Sequence, residues 1–300
     1  MECSERTFGG WQMKVFAMNG LLLGIPASIG PRILYLASEE EPEFNLFGTP
    51  DITAETADGT WHIFGGHRLW TSPEATPRSY ALDNAPVPIS TRGSSITITG
   101  NPEVANGVRK FIEISPAGPA AVRVVHRIEN ISRWPLTFAP WALSVMTTGG
   151  FATIPVRRTR VDEAGLLPDR RLTLWPYSSL ADNRFVFTDD YIFLKQDTAA
   201  AGPVKIGAAA RPCWTAYSIG TVTFVKSFAG QDAEYPDFGC TVEVYTNHAM
   251  LELETLGALA TVPPGGSLRH TETWHLLKTG PLQPSQAEIE RILVPNIPAD

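Results

Sequence analysis

The chain has 300 residues, of which 43% are hydrophobic, so it is long enough to bury a large core in one or two domains. The formal net charge of −7 and the dispersed basic residues exclude nucleic acid as the main partner, because phosphate binding needs concentrated lysine and arginine. The 25 glycines and 25 prolines follow no fixed period, which indicates a turn-rich folded chain and excludes a collagen-like or disordered one.

Segments with strand patterns run along almost the whole chain. Asn19 and Gly20 lie between two apolar runs, which is the strongest short-range signal for a β-hairpin. Further strands are predicted at residues 31–37, 61–64, 94–99, 108–114, 121–129, 136–146, 172–175, 185–187, 191–195, 204–209, 214–218, 221–228, 239–246, 250–255 and 269–277. Near the C-terminus, SQAEIERIL predicts one short helix at about residues 285–293, in which Ser285 and Glu288 form a capping box.

The fold class predicted from this pattern is all-β and antiparallel. We find neither a repeat nor a linker-like change in composition, so a single domain over residues 1–300 is preferred to two smaller ones. Sheets of this size must pair with another sheet to hide their apolar face. The opposite, concave face is then free to bind a ligand.

The cysteines and the apolar runs bear on where the protein resides. Cys3, Cys213 and Cys240 show neither paired spacing nor a C-x-x-C motif, which suits a reducing compartment and predicts a cytoplasmic protein. Asn19 and Gly20 interrupt the one stretch that resembles a signal peptide. No run approaches the roughly 18 apolar residues of a membrane span, so we expect no membrane partner.

The stretch LELET places two carboxylates in an apolar environment. Period-two alternation sends Leu251 and Leu253 to one face of a strand and Glu252 and Glu254 to the other. The glutamates either face water or line the floor of a polar site.

A second informative stretch is FGGHRLWTSPE, residues 64–74. It brings His67, Arg68, Trp70 and Glu74 close together after a glycine pair. Charged groups bind sugar hydroxyls, and an indole stacks on the C–H-rich face of a sugar ring, so this combination suits a carbohydrate. The alternative is that Arg68 pairs with Glu74 while Trp70 packs in the core.

Several other side chains are candidates for the same cavity. The shaped loop YPDFG offers Tyr235 and Asp237 beside the strand that precedes Glu254, and Lys226 could join this charged group. Trp141 lies on a hydrophobic strand, where it either packs in the core or forms a stacking platform for a sugar.

Metal and cofactor sites are not expected. His62 and His67 are one of many chance pairs among six histidines, and His126 shares a strand face with apolar residues, as a hydrogen-bonded core histidine does. No Walker loop, Rossmann glycine fingerprint, G-x-S-x-G elbow or H-E-x-x-H motif is present. The sequence therefore predicts no cofactor and no metal.

The motifs GGHRLWTSPE, IENISRWPLTFAPWAL, YPDFGCTVEVYT and ELETLGALATVPPGGSLRHTETW resemble an uncharacterised bacterial family, the DUF4380 group of the galactose mutarotase-like superfamily. The resemblance covers about residues 10–278. It implies an antiparallel β-supersandwich whose concave sheet binds a small-molecule carbohydrate. Mutarotases interconvert sugar anomers with a late glutamate as base and a histidine as acid, and Glu254, or Glu252 on the same face, is similar in position to that base.

This sequence differs from those of mutarotases at the position of the catalytic acid. Their histidine follows a segment like IENISRWPL, whereas this chain reads TFAPWALS there and offers Trp141 instead. We therefore expect aldose 1-epimerase-like activity with Glu254 as base and His67 as a replacement acid from another strand, while Arg68, Trp70, Glu74, Trp141, Lys226, Tyr235, Asp237 and Glu252 bind the sugar. A non-catalytic sugar-binding or sensing protein is the alternative, and a glycan lyase or hydrolase is a further one.

Overall fold

The computed structural model describes residues 2–159 and 161–298, and the regular secondary structure of these residues consists mainly of antiparallel strands. In chain order the strands are β1 Glu2–Phe8, β2 Trp11–Met18, β3 Leu21–Pro26, β4 Arg32–Ile33, β5 Tyr35–Ser38, β6 Thr53–Thr56, β7 Gly59–His62, β8 His67–Ser72, β9 Ile89–Arg92, β10 Ser95–Thr99, β11 Val108–Gly118, β12 Ala121–Asn130, β13 Leu136–Met146, β14 Phe151–Pro155, β15 Leu172–Leu174, β16 Phe185–Phe187, β17 Tyr191–Lys195, β18 Val204–Ala208, β19 Trp214–Ile219, β20 Val222–Phe228, β21 Val242–Thr246, β22 Leu251–Leu256, β23 Ala260–Val262 and β24 Ser267–Lys278.

Helical structure is short. A 3-10 turn spans Arg78–Tyr80, and a tight turn, α1, spans Pro236–Gly239. The C-terminal helix begins with α2 at Gln286–Glu288, continues as a π-helical turn at Ile289–Leu293 and ends in a 3-10 turn at Val294–Asn296. No helix in residues 2–159 and 161–298 has the length and apolar character needed to cross a bilayer.

Two large sheets contain most of the strands. One has ten strands in the order β16-β17-β14-β19-β20-β24-β12-β11-β10-β9. The other has eight, in the order β15-β18-β21-β22-β13-β8-β4, with β23 added beside β13. A four-stranded sheet, β1-β2-β3-β5, and the hairpin β6-β7 complete the fold.

The main hydrophobic core lies between the two large sheets. Ile112, Val124 and Trp274 enter it from the ten-stranded sheet, while Leu251 and Leu253 enter it from the eight-stranded one. All five are fully buried. Burial of apolar side chains on facing sheet surfaces is what holds such a sandwich together. The eight-stranded sheet therefore has one face in the core and an outer face on which a ligand site can form.

The predicted all-β, antiparallel class is confirmed, as is the hairpin at the first turn. Asn19 and Gly20 both adopt positive φ, 54° and 85°, as the predicted type of turn requires. The strands β1, β6, β8, β9, β14 and β23 were not predicted. The segment of β14, FATIP, shows no alternation of apolar and polar residues because all five of its residues are buried.

The predicted C-terminal helix is present, and its cap differs in one detail. The Ser285 hydroxyl accepts a hydrogen bond from the Glu288 backbone N–H, as in a capping box. The Glu288 carboxylate accepts from the backbone N–H of Gln283 at 2.7 Å instead of returning to Ser285. The two capping residues were therefore predicted correctly, but the Glu288 carboxylate binds the backbone N–H of Gln283, two residues before the expected Ser285.

Candidate functional site

A cavity of about 420 Å³ lies on the outer face of the eight-stranded sheet. Alternation along β22 explains its polar floor, because Leu251 and Leu253 pack in the core while Glu252 and Glu254 line the cavity. The rest of the floor is formed by the other strands of this sheet, β8, β13, β18 and β21. The carboxylates of LELET thus share a concave surface, and their buried state rules out the alternative that they simply face water.

Glu254 is the most enclosed acid in this cavity. Its side chain is fully buried, and its Oε2 accepts hydrogen bonds from Trp141 Nε1 at 2.7 Å and from Lys205 Nζ at 3.0 Å. Its other oxygen, Oε1, has no hydrogen-bond partner among the described residues. One carboxylate oxygen is therefore fixed, and the second has its acceptor positions free for a ligand.

Lys205 joins Glu254 to a second buried acid, Glu243. The Lys205 ammonium lies 2.6 Å from Glu243 Oε2, and Glu243 is the cross-strand neighbour of Glu254 on β21. Gly207 lies opposite Glu243 on β18, where an added Cβ would meet the sulfur of Cys240 at 2.5 Å and Cγ of Glu243 at 3.3 Å. Glycine at this position therefore leaves room for the buried carboxylate.

With both carboxylates ionised, this cluster of Glu243, Glu254 and Lys205 would carry a net charge of −1. Burial raises the pKa of Glu243 well above its ordinary value and also raises the pKa of Glu254. Burial alone would lower the pKa of Lys205, but the two glutamates raise it well above its ordinary value. The lysine therefore stays charged, and the pair of glutamates retains a proton to higher pH than free carboxyl groups do.

Arg68 forms the other charged contact of the cavity. Its Nη2 lies 2.8 Å from Glu252 Oε1, and its guanidinium lies 4.5 Å from the centroid of the Trp70 ring. Glu74 accepts instead from the Tyr80 hydroxyl at 2.7 Å. The predicted alternative, an Arg68–Glu74 pair, is thus replaced by a pair between Arg68 and Glu252.

Aromatic rings form the walls. Trp70 lies 5.5 Å from Trp141 and 5.9 Å from Trp61, centroid to centroid. The Lys205 ammonium lies 4.7 Å from the ring of Trp141 and 4.5 Å from that of Trp175. An apolar aromatic wall over a charged floor is the arrangement that carbohydrate ligands need, since they present both C–H faces and hydroxyls.

The remaining predicted residues lie at the rim or elsewhere. Glu74 lines both the main cavity and a smaller one of about 290 Å³, which Asp237 and Glu243 also line and which shares Lys205 with the main one. Asp237 adopts a left-handed φ of 50°, and its carboxylate lies 3.5 Å from the Ser72 hydroxyl. The Tyr235 hydroxyl accepts from the backbone N–H of Gln231 and lines neither of these cavities.

The structure places His67 and Lys226 away from the cavity, which corrects their expected position. Successive side chains of a strand point to opposite faces, so His67 lies on the opposite face of β8 from its neighbour Arg68. It is fully buried inside the sandwich. Its Nδ1 lies 2.9 Å from the Ser144 hydroxyl and its Nε2 lies 2.7 Å from Nε2 of His126. Lys226, fully buried on β20, lies 2.8 Å from Glu272.

These two residues belong to a polar network between the sheets. His126, the predicted core histidine, is fully buried and hydrogen-bonds the His270 carbonyl at 3.1 Å through Nδ1. Glu272 accepts from Thr255 and from Trp274 Nε1. His270, which showed no special context in the sequence, bonds Thr255 at 2.7 Å. The network satisfies buried polar groups and has a structural role.

One part of this network has the composition of a metal site. Ligand atoms of His67, His126 and Glu272 lie within 4.8 Å of one another. The histidine nitrogens, however, are at hydrogen-bond distance, and Lys226 already neutralises the carboxylate. The network is therefore complete as a hydrogen-bonded and ion-paired cluster.

Sequence reasoning missed Lys205 and Glu243. Both interrupt apolar strands, in VKIGA and VEVYT, which is the same signal that singled out LELET. Applying the alternation rule to every such strand would have found them. The rule would not have shown that β18, β21 and β22, which carry Lys205, Glu243 and Glu254, are neighbours in the sheet.

Neither a family model nor a curated protein sequence matches the chain. Solved structures do. A candidate mutarotase (YeaD) from Salmonella typhimurium matches over 92% of this chain and 94% of its own, with a TM-score of 0.58 and 10% identity. A galactose mutarotase related enzyme from Lactobacillus acidophilus matches over 89% and 97%, with a TM-score of 0.51 and 12% identity.

A TPR-domain containing protein from Parabacteroides distasonis also matches, with a TM-score of 0.58 and 9% identity. The match covers 91% of this chain and 48% of that protein, so this chain corresponds to about half of it. Membership of the DUF4380 group stays a prediction. The structural likenesses show that the chain has the galactose mutarotase-like fold.

Proposed function

We propose that the chain binds a small-molecule carbohydrate in the 420 Å³ cavity and interconverts its anomers, as an aldose 1-epimerase does. The observation that carries the proposal is the buried pair of glutamates, Glu243 and Glu254, joined by Lys205. Glu254 lies at the floor of the aromatic-walled cavity, and Glu243 lines the adjoining cavity of about 290 Å³, which shares Lys205 and Trp141 with it. The mutarotase-like fold of the solved neighbours supports a sugar ligand at this face.

The chemistry needs one base and one acid. The base takes the proton from O1 of the cyclic sugar, the C1–O5 bond breaks towards O5, and the acid protonates O5 to leave the open-chain aldehyde. Rotation about C1–C2 and the reverse steps give the other anomer. Because O1 and O5 are bonded to the same carbon, acid and base can lie side by side instead of flanking the sugar.

Glu254 is the proposed base and Glu243 the proposed acid. Two neighbouring carboxyl groups that hold one proton between them supply both forms at once. The raised pKa of each carboxyl and the fixed ammonium of Lys205 support this assignment. Glu243 thereby replaces His67, which we no longer retain as the acid because it lies on the other face of the sheet.

The remaining cavity residues bind the sugar in this proposal. Arg68 and Glu252 offer donors and acceptors to hydroxyls, while Trp70 and Trp141 provide ring faces for stacking. Asp237 and Glu74 extend the polar surface at the rim.

A non-catalytic sugar-binding protein is the second candidate. It is favoured by the two hydrogen bonds that Glu254 Oε2 already accepts, because they make that oxygen less basic. Such a protein would keep the same cavity and the same ligand without accelerating anomer exchange.

The test measures anomer exchange and binding together. Freshly dissolved aldoses are followed by polarimetry or NMR with the wild type, Glu254→Gln, Glu243→Gln and the surface control Glu163→Gln. We expect the wild type to exchange anomers faster than buffer alone. The enzymatic rate should fall by a factor of about 10² or more in Glu254→Gln and Glu243→Gln and stay unchanged in Glu163→Gln. Binding measured by titration calorimetry without acceleration would establish the binding protein instead, and absence of both would overturn the proposal.

A further inference from the structure

A second cavity, of about 310 Å³, lies against the proposed sugar site. Arg68 and Trp70 line both cavities, so these two side chains form their common wall. The rest of its lining mixes prolines and other apolar residues with polar ones, among them Asp58, Asp83 and Asn101.

The common wall carries hydrogen-bond donors without partners. Arg68 is 2% exposed, and its Nη2 forms an ion pair with Glu252. Its Nε and Nη1 are buried and have no hydrogen-bond partner among the described residues. Native proteins rarely leave a buried guanidinium so incompletely bonded, and such groups point to a ligand at that position.

The second cavity also carries an acceptor without a partner. Asp83 Oδ2 binds Arg32 through two hydrogen bonds, of 3.0 and 2.7 Å, whereas its Oδ1 is buried and has no partner among the described residues. A hydroxyl group both donates and accepts, so a polyol placed here could donate to Asp83 and accept from Arg68. Neither an apolar ligand nor a simple anion would satisfy both groups.

We propose that the second cavity is a further sugar subsite, so that the ligand of this protein is a carbohydrate of at least two units. One unit occupies the cavity that contains Glu254, the next occupies the cavity at Asp83, and Arg68 and Trp70 contact both. This inference rests on the proposed function, because it takes the first cavity as the site of the reacting sugar.

The test compares single sugars with their reducing disaccharides by titration calorimetry. The probes are D-glucose with maltose, cellobiose, lactose and melibiose, all of which have glucose at the reducing end, and D-galactose with β-1,4-galactobiose. Ala105→Trp introduces a bulky ring at an exposed position on the wall of the second cavity alone, and Ala199→Trp is the matched surface control. Melting temperatures confirm that both variants fold.

We expect at least one disaccharide to bind at least about tenfold more tightly than its monosaccharide, which corresponds to one filled subsite of modest energy. Ala105→Trp should reduce that ratio towards one, and Ala199→Trp should leave it unchanged. Monosaccharide binding with no gain for any disaccharide, or a gain that Ala105→Trp does not affect, would overturn the second subsite alone. Absence of binding by every probe would overturn it together with the proposed function.

Discussion

At the scale of residues, the cluster of Lys205, Glu243 and Glu254 dominates the chemistry. A buried carboxylate is costly unless a cation or hydrogen-bond donors compensate it, and here one ammonium serves two carboxylates. Because burial raises the pKa of both glutamates, the pair retains a proton to higher pH than free carboxyl groups do. The cation thereby decides how basic the pair is, since it favours the ionised form of both acids.

Lys205→Met should shift the pH dependence of anomer exchange. Without the ammonium, the pKa of each glutamate rises further, so the ionised base forms only at higher pH. We expect the acidic limb of the rate profile to move to higher pH and the rate at pH 7 to fall by about tenfold or more. Lys195→Met, at an exposed position, is the control, and an acidic limb at the wild-type position in Lys205→Met would refute the role of the cation.

Arg68→Ala should weaken binding whether or not the protein is catalytic. Hydrogen bonds to a charged group contribute about 1.5–3 kcal/mol, which corresponds to a loss of about tenfold to hundredfold in affinity. Calorimetric titration of the best-bound sugar checks this, with Arg133→Ala on the exposed surface for comparison. Retained affinity in Arg68→Ala would remove this residue from the site.

At the scale of elements, the strand pair β13–β22 is held from both faces. On its outer face the Trp141 indole bonds Glu254. On its inner face the Lys226 ammonium donates to the carbonyls of Ala142 and Leu253 at 3.2 and 3.3 Å, and it pairs with Glu272. The floor of the site is thus tied to the opposite sheet through one buried cation.

Lys226→Met should destabilise the fold by about 3–5 kcal/mol, because it leaves the Glu272 charge buried without its counterion. The double variant Lys226→Met/Glu272→Gln should recover part of this loss, since no unpaired charge remains. Denaturant unfolding of the three proteins measures the free energies. A single variant as stable as the wild type would contradict this account of the network.

At the scale of the whole molecule, one sheet separates two polar clusters with opposite responses to pH. Burial lowers the pKa of His126 to about 4, of His270 to about 3 and of His67 well below its ordinary value. Between those values and about 6.5 the unfolded chain binds protons that the folded chain does not. The glutamates of the outer cluster act in the opposite sense, because their raised pKa makes the folded chain bind more protons than the unfolded one above the ordinary pKa of glutamate.

The free energy of unfolding should therefore fall as the pH is lowered from about 6.5 to 4, since the three histidines with lowered pKa outweigh the two glutamates with raised pKa. Below that range Glu272 adds to the loss, because Lys226, acting against burial, lowers its pKa to about 2. Urea titrations across this range check the slope, and His270→Gln should make it shallower while Glu243→Gln makes it steeper. Stability that is constant or rises towards pH 4 would contradict the assignment.

The sequence by itself determined the all-β class, the first hairpin, the C-terminal helix and the opposite faces of Leu253 and Glu254, because hydrophobic periodicity and turn chemistry act over a few residues. Alternation also places His67 and Arg68 on opposite faces of β8, so the sequence itself argues against His67 as the acid. Only the tertiary structure decided which face of each strand meets the other sheet and which distant strands become neighbours. Lys205 reaches Glu254 across 49 residues of chain, and no local pattern encodes such a pairing because it depends on how the sheets assemble.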